Sequence, residues 1–115
     1  MECKIGDIVL IQNFKYPNGK QGDLHRFVVI DTKQDEVKIM SFEYLCFLIS
    51  SQKEKDSYPY NIPIKKDNIN RLEVDSHVKC DFLYENIKED DVIMITGRVT
   101  EQQYEKFIEL YRRVA

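Results

Sequence analysis

Apolar positions in this chain come in short runs separated by turn residues, and only the last segment carries a helical period. Ile8-Val9-Leu10-Ile11 follows Gly6-Asp7, which reads as a turn feeding a strand that reaches Gln12. The polar stretch Asn13 to Asp23, with Pro17-Asn18-Gly19 and Gly22, reads as a long loop. Phe27-Val28-Val29-Ile30 is continuous, β-branched and too short for a helix, so it predicts a buried central strand ending near Asp31. A second β-rich region runs from Val37 through Leu45-Cys46-Phe47-Leu48-Ile49 to Ser50. The charged stretch 52–57 reads as a loop, and Tyr58 to Ile64, interrupted by Pro59 and Pro63, suits an edge strand because proline cannot donate to an interior ladder. Ser76 to Tyr84 and Val92 to Val99 are further strands, with Gly97 marking a bulge or a close approach. Thr100-Glu101-Gln102-Gln103 has the form of a capping box, and Tyr104, Phe107, Ile108 and Tyr111 follow at i, i+3, i+4, i+7. This predicts an amphipathic C-terminal helix, with Glu101 at its positive end and Arg112 and Arg113 at its negative end. Its aromatic face is assigned to core or dimer contacts. With no repeat or linker, residues 1–115 form one domain, mainly β, built as a small barrel with a closing helix.

Composition narrows the class. At 115 residues, with 43% hydrophobic and 32% charged positions, the chain can build a core without disulfides or metals. The start of the chain has no signal-peptide pattern, and no apolar run approaches the roughly 20 residues of a membrane span, which predicts a soluble, cytoplasmic protein with no membrane partner. Cys3, Cys46 and Cys80 are odd in number and widely spaced, so they read as reduced thiols, with Cys46 in the core. His25 and His77 stand far apart in sequence, so no metal or cofactor is expected. A net charge of −3 argues against coating long nucleic acids. The charge is unevenly placed, however. Residues 81–91 hold five acids against one lysine and read as a solvated loop, whereas residues 52–71 hold five bases against three acids, enough for a short basic groove.

No GxSxG, Walker or HExxH motif is present, so the common hydrolase, nucleotide and zinc-protease chemistries have no footing. What remains is the loop Asn18-Gly19-Lys20-Gln21-Gly22-Asp23 leading through Leu24-His25-Arg26 into the central strand. A strand mouth holds polar groups rigidly and exposes them. His25 can exchange a proton near neutral pH and Arg26 can pair with a phosphate; equally, the two can be an ordinary polar residue and a surface cation. Phe14, Tyr16, Tyr58 and Tyr60 can stack on unpaired bases or serve packing.

Several segments, taken in order across residues 4–112, resemble the MazF/PemK toxins of the MazF/PemK/CcdB superfamily. They are Gly6-Asp7-Ile8-Val9, the G-x-Q-G loop Gly19-Lys20-Gln21-Gly22, the approach to Val28-Val29-Ile30, the hydroxyl-ended strand at Ser50, Ser76-His77-Val78-Lys79-Cys80-Asp81, and Gly97-Arg98-Val99 before the helix. The resemblance implies an SH3-like β-barrel and a metal-independent endoribonuclease that cuts single-stranded RNA. It also implies a homodimer neutralised by a small acidic antitoxin. The family assigns its chemistry to an Arg of an Arg-Pro pair and to a Thr or Ser ending the next strand. Matched without a gap, that Arg falls on His25, the Pro on Arg26 and the hydroxyl on Ser50. Either His25 replaces the Arg as the proton-transfer group, which we favour, or Arg26 moves over by one position to stabilise the phosphorane. Adjacent strand residues face opposite sides, so a regular strand cannot use both. The residues implied at the RNA are thus His25, Arg26 and Ser50 at the phosphate, with Lys20, Gln21, Ser51, Lys53, Lys55 and Tyr58 guiding the strand. Ser50 has an alternative use as a strand-end backbone cap. The rival function is a catalytically inactive barrel that binds protein or RNA.

Overall fold

The structure is a computed structural model that describes residues 2–34, 42–52 and 58–114. Six strands, β1 (Asp7–Lys15), β2 (Gln21–Gln34), β3 (Phe42–Ser50), β4 (Asn61–Ile64), β5 (Ser76–Lys88) and β6 (Val92–Arg98), precede one helix, α1 (Glu101–Val114). All pair antiparallel in a single sheet of order β4-β5-β3-β2-β1-β6. Register shifts interrupt the β1–β6, β2–β3 and β3–β5 ladders. Each extra residue bends its strand and raises the local twist, so the sheet curls and buries apolar groups on both faces. One face carries Val9, Ile11, Phe27, Val29, Cys46, Leu48 and Tyr84. The other carries Ile8, Val28, Phe47, Ile49 and Val78 and is covered by Leu72, Val99 and Phe107.

The edge strands β4 and β6 do not pair, so the sheet is not closed. The segment after β4 bridges part of the gap, where the Arg98 N–H donates to the Ile69 carbonyl at 3.1 Å. The result is the small barrel-like fold that the strand pattern and the resemblance imply. Among the described residues no helix is long and apolar enough to cross a membrane.

Two expectations are corrected. The first loop is short, because β1 runs on to Lys15 and β2 begins at Gln21. Asn13 adopts a φ of 57°, and Phe14 then sits buried against Phe27 and Tyr84, which holds the strand together through a polar stretch. The acidic stretch 81–91 is also mostly strand. Tyr84 and Ile87 are buried, and only Glu89–Asp91 leaves β5, as a single 3-10 turn.

The capping box forms as its spacing implies: the Gln103 N–H donates to Thr100 Oγ1 at 3.2 Å and the Thr100 N–H to Gln103 Oε1 at 2.8 Å. The helix then docks through buried Phe107, and the Tyr104 hydroxyl donates to the Ile30 carbonyl at 3.1 Å. Thr100→Ala should therefore cost about 1 kcal/mol of unfolding free energy, measured by urea denaturation.

Candidate active site

Strand alternation separates the two residues that lead into β2. His25 shares a face with Phe27, Arg26 with Val28. The half-buried His25 ring stands edge-on to Phe14 and Phe27, at centroid distances of 6.4 and 6.2 Å. Its Nδ1 lies 3.2 Å from the Arg26 carbonyl. A carbonyl only accepts, so Nδ1 carries the proton and Nε2 holds the lone pair, the tautomer a general base needs. Burial, followed by the charges of Arg26 and Lys79, pushes the His25 pKa below its ordinary 6.5 against the opposing pull of the Arg26 carbonyl. The ring is therefore neutral at pH 7.

Cross-strand pairing builds the rest of this face. Phe27 pairs with Leu48, Leu48 with Lys79 and Lys79 with Asn61, while in the next row Ser50 pairs with His77 and His77 with Pro63. Directly paired residues point the same way. His25 and Ser50 lie two residues beyond Phe27 and Leu48 in their strands, so they join this face beside His77 and Lys79. Ser50 Oγ accepts from the Gln52 N–H at 3.3 Å, the backbone-cap geometry, and its hydroxyl proton remains available to donate. Lys79 is half-buried and has no ion pair among the described residues. Lys79→Met should raise the His25 pKa, since a repelling charge is removed; an NMR titration of the His25 ring reads this directly, whether or not the protein cuts RNA.

Arg26 lies elsewhere. It lines a cleft of about 310 Å³ with Ser51, Leu24 and Glu73, and His25 borders the same cleft. Its Nη2 is 3.6 Å from Glu73 Oε1. The structure thus brings His25 and Ser50 to one face and puts Arg26 and Ser51 on the other.

Among the residues implied to guide RNA, Lys20 and Gln21 are exposed at the β1–β2 turn, where the Lys20 N–H donates to Asn18 Oδ1 and Gln21 Nε2 donates to the Gly22 carbonyl, both at 3.0 Å. Gly22, not Gln21, turns toward Phe14 and the His25 face, because the strand alternation is broken around Asn13. Tyr58 and Tyr60 are exposed before β4. Phe14 is buried and Tyr16 packs on it, so neither presents a free ring for a base. Lys53 and Lys55 lie outside the described residues.

Sequence reasoning missed His77, Lys79 and Glu73 as neighbours of this region. Alternation in Ser76 to Asp81 was the available signal for the first two, but it places them on a face without saying which strand lies beside them. Comparison with known proteins adds the family. The chain matches the PemK-like, MazF-like toxins of type II toxin–antitoxin systems over residues 4–112, and it belongs to that family. Among curated proteins none matches it.

Proposed function

We propose that this toxin is a cytoplasmic, metal-independent endoribonuclease that cuts single-stranded RNA through the RNA's own 2′-hydroxyl. His25 Nε2 takes the 2′-hydroxyl proton as the oxygen attacks the adjacent phosphorus. Ser50 donates a hydrogen bond to a non-bridging oxygen of the phosphorane, and the Lys79 ammonium offsets its negative charge. The P–O5′ bond breaks, the 5′-oxygen takes a proton from water, the hydroxide left behind takes the proton that His25 had accepted, and the products are a 2′,3′-cyclic phosphate and a 5′-hydroxyl. The carrying observation is the Nδ1–H bond to the Arg26 carbonyl, which leaves a neutral, lone-pair Nε2 on the face shared with Ser50 and Lys79. No cofactor enters this scheme.

A homodimer is supported by β6, an edge strand that exposes Ile93, Met94 and Ile95 in sequence. Family membership supports a cognate antitoxin, and the basic stretch 52–71 suits a small acidic one. A non-catalytic binding module is the rival, favoured by the engagement of Ser50 Oγ with Gln52.

Purified protein incubated in EDTA with a long single-stranded RNA decides between them. Discrete fragments from wild type that vanish with His25→Ala and with Ser50→Ala are the expected result. Intact RNA at micromolar protein would overturn the catalytic reading and leave the module.

A further inference from the structure

The cleft behind His25 has a chemistry that proton transfer does not use. Arg26 stands where the resemblance places a proline, and its guanidinium is not saturated: among the described residues Nε is buried without a hydrogen-bond partner, and Nη2 reaches only Glu73, at 3.6 Å. The Glu73 side chain is 80% exposed, so its carboxylate keeps most of its accepting capacity. The walls are aliphatic. Leu10 and Ile49 lie within, and Leu24 and Val74 stand 56% and 50% exposed. Buried polar groups normally find a partner; Nε itself is out of reach, but the side chain is 30% exposed, so the terminal N–H groups of the guanidinium are open to a ligand.

The pair of opposite charges selects what that ligand is. An anion drawn to Arg26 meets the Glu73 carboxylate, and a cation drawn to Glu73 meets Arg26. A neutral, flat group with acceptors beside donors on its edge satisfies both, and its apolar faces cover Leu24 and Val74. Guanine has this pattern: O6 and N7 accept from an arginine, the commonest specific arginine contact to a base, while N1–H and the N2 amino group donate to a carboxylate. Adenine and cytosine each offer only one donor group for the carboxylate.

We infer that the Arg26–Glu73 cleft reads a guanine of the bound RNA, with Arg26 donating to O6 and N7 and Glu73 accepting from N1–H and N2–H. His25 borders the cleft as well as lying on the Ser50 face, so a strand with its scissile phosphate at His25 has a base within reach of Arg26. This rests on the reading of the protein as a single-stranded-RNA toxin.

The test is binding of short 2′-O-methyl oligouridines, which carry no nucleophile, each with one central guanosine, adenosine, cytidine, inosine or 7-deazaguanosine, followed by fluorescence anisotropy. Wild type should hold the guanosine oligomer roughly tenfold more tightly than the adenosine or cytidine oligomers. Removing N7 should weaken binding to wild type but not to Arg26→Met. Removing N2, as in inosine, should weaken binding to wild type but not to Glu73→Ala, whose exposed position makes it safe for folding. Equal affinity for all five oligomers, or a guanine preference kept in both variants, would overturn the inference while leaving the ribonuclease reading intact. Failure to bind any of the oligomers would overturn both.

Discussion

Changing His25 to alanine should slow cleavage of single-stranded RNA by roughly a hundredfold to ten-thousandfold, the usual contribution of a positioned general base, with the fold retained by circular dichroism. The pH profile separates this from mere loss of packing against Phe14. A base works only when deprotonated, so kcat/KM of wild type should rise with pH through the His25 pKa and level off above it. Burial and the nearby Lys79 and Arg26 charges hold that pKa below 6.5, with the Arg26 carbonyl acting in the other direction. Of the remaining titratable groups, Asp23 precedes His25 by two residues on its own strand, His77 lies two strands away on β5, and Tyr16 and Tyr84 pack on Phe14, the ring's neighbour. The acid limb therefore belongs below pH 6.5. It should vanish from the residual activity of His25→Ala and move to higher pH in Lys79→Met.

The same shift has a thermodynamic consequence. Because the folded pKa is below the unfolded one, the unfolded chain binds more protons at this site between the two values, and stability rises with pH across that interval. The contribution of His25 to stability is complete above pH 6.5 and is lost as pH falls through the folded pKa. Urea denaturation of wild type and His25→Ala should show this difference in slope just below pH 6.5. Parallel stability curves through that window would remove the support for a buried neutral imidazole.

How far the sequence reveals the molecule depends on whether the determining contact is local. The helix was legible because Thr100 and Gln103 satisfy each other's backbone groups three residues apart and the aromatic stripe has its own period. The edge position of β4 followed from Pro63 within it and Pro59 just before it, a property of single residues. The length of β1 was not legible. Asn13, with its positive φ, reads as loop, and only the distant partners Phe27 and Tyr84 show why Phe14 returns to the core. The site divides in the same way. Period-two alternation foretold that His25 and Arg26 face apart, and β2 is regular where they lie. That Ser50 meets His77, and that Glu73 meets Arg26, depends on pairings between segments far apart in the chain, for which local pattern carries no signal.

Gly97→Ala should lower the unfolding free energy by about 3 kcal/mol, an overpacking cost at the upper end of the usual range, and the thermal midpoint by on the order of 10–15 °C. A Cβ at Gly97 would sit 2.1 Å from the Asn70 carbonyl oxygen and 2.5 Å from its carbon. Those are backbone atoms of a turn that has little room to give. Asn70 is 1% exposed; its Oδ1 accepts from the N–H groups of Asp67 and Leu72, and its Nδ2 donates to the Lys65 carbonyl at 2.8 Å. The Asn70 N–H in turn donates to Asp67 Oδ1 at 2.7 Å. On the other side, Gly97 lies at a register shift of the β1–β6 ladder and the next residue, Arg98, bonds to Ile69, so β6 cannot retreat without loosening the contact that bridges the open side of the sheet. Gly19→Ala makes the proper comparison. Nothing lies within 4 Å of its added Cβ, and only its φ of +85° resists, so its cost should be about 1 kcal/mol. The turn that Gly97 abuts leads directly into Leu72, Glu73 and Val74, one wall of the Arg26 cleft. Gly97→Ala should therefore also weaken any guanine preference at temperatures where the protein is still folded, whereas Gly19→Ala should leave it intact. Equal melting temperatures for the two alanine variants would show that β6 and the Asn70 turn are not in rigid contact.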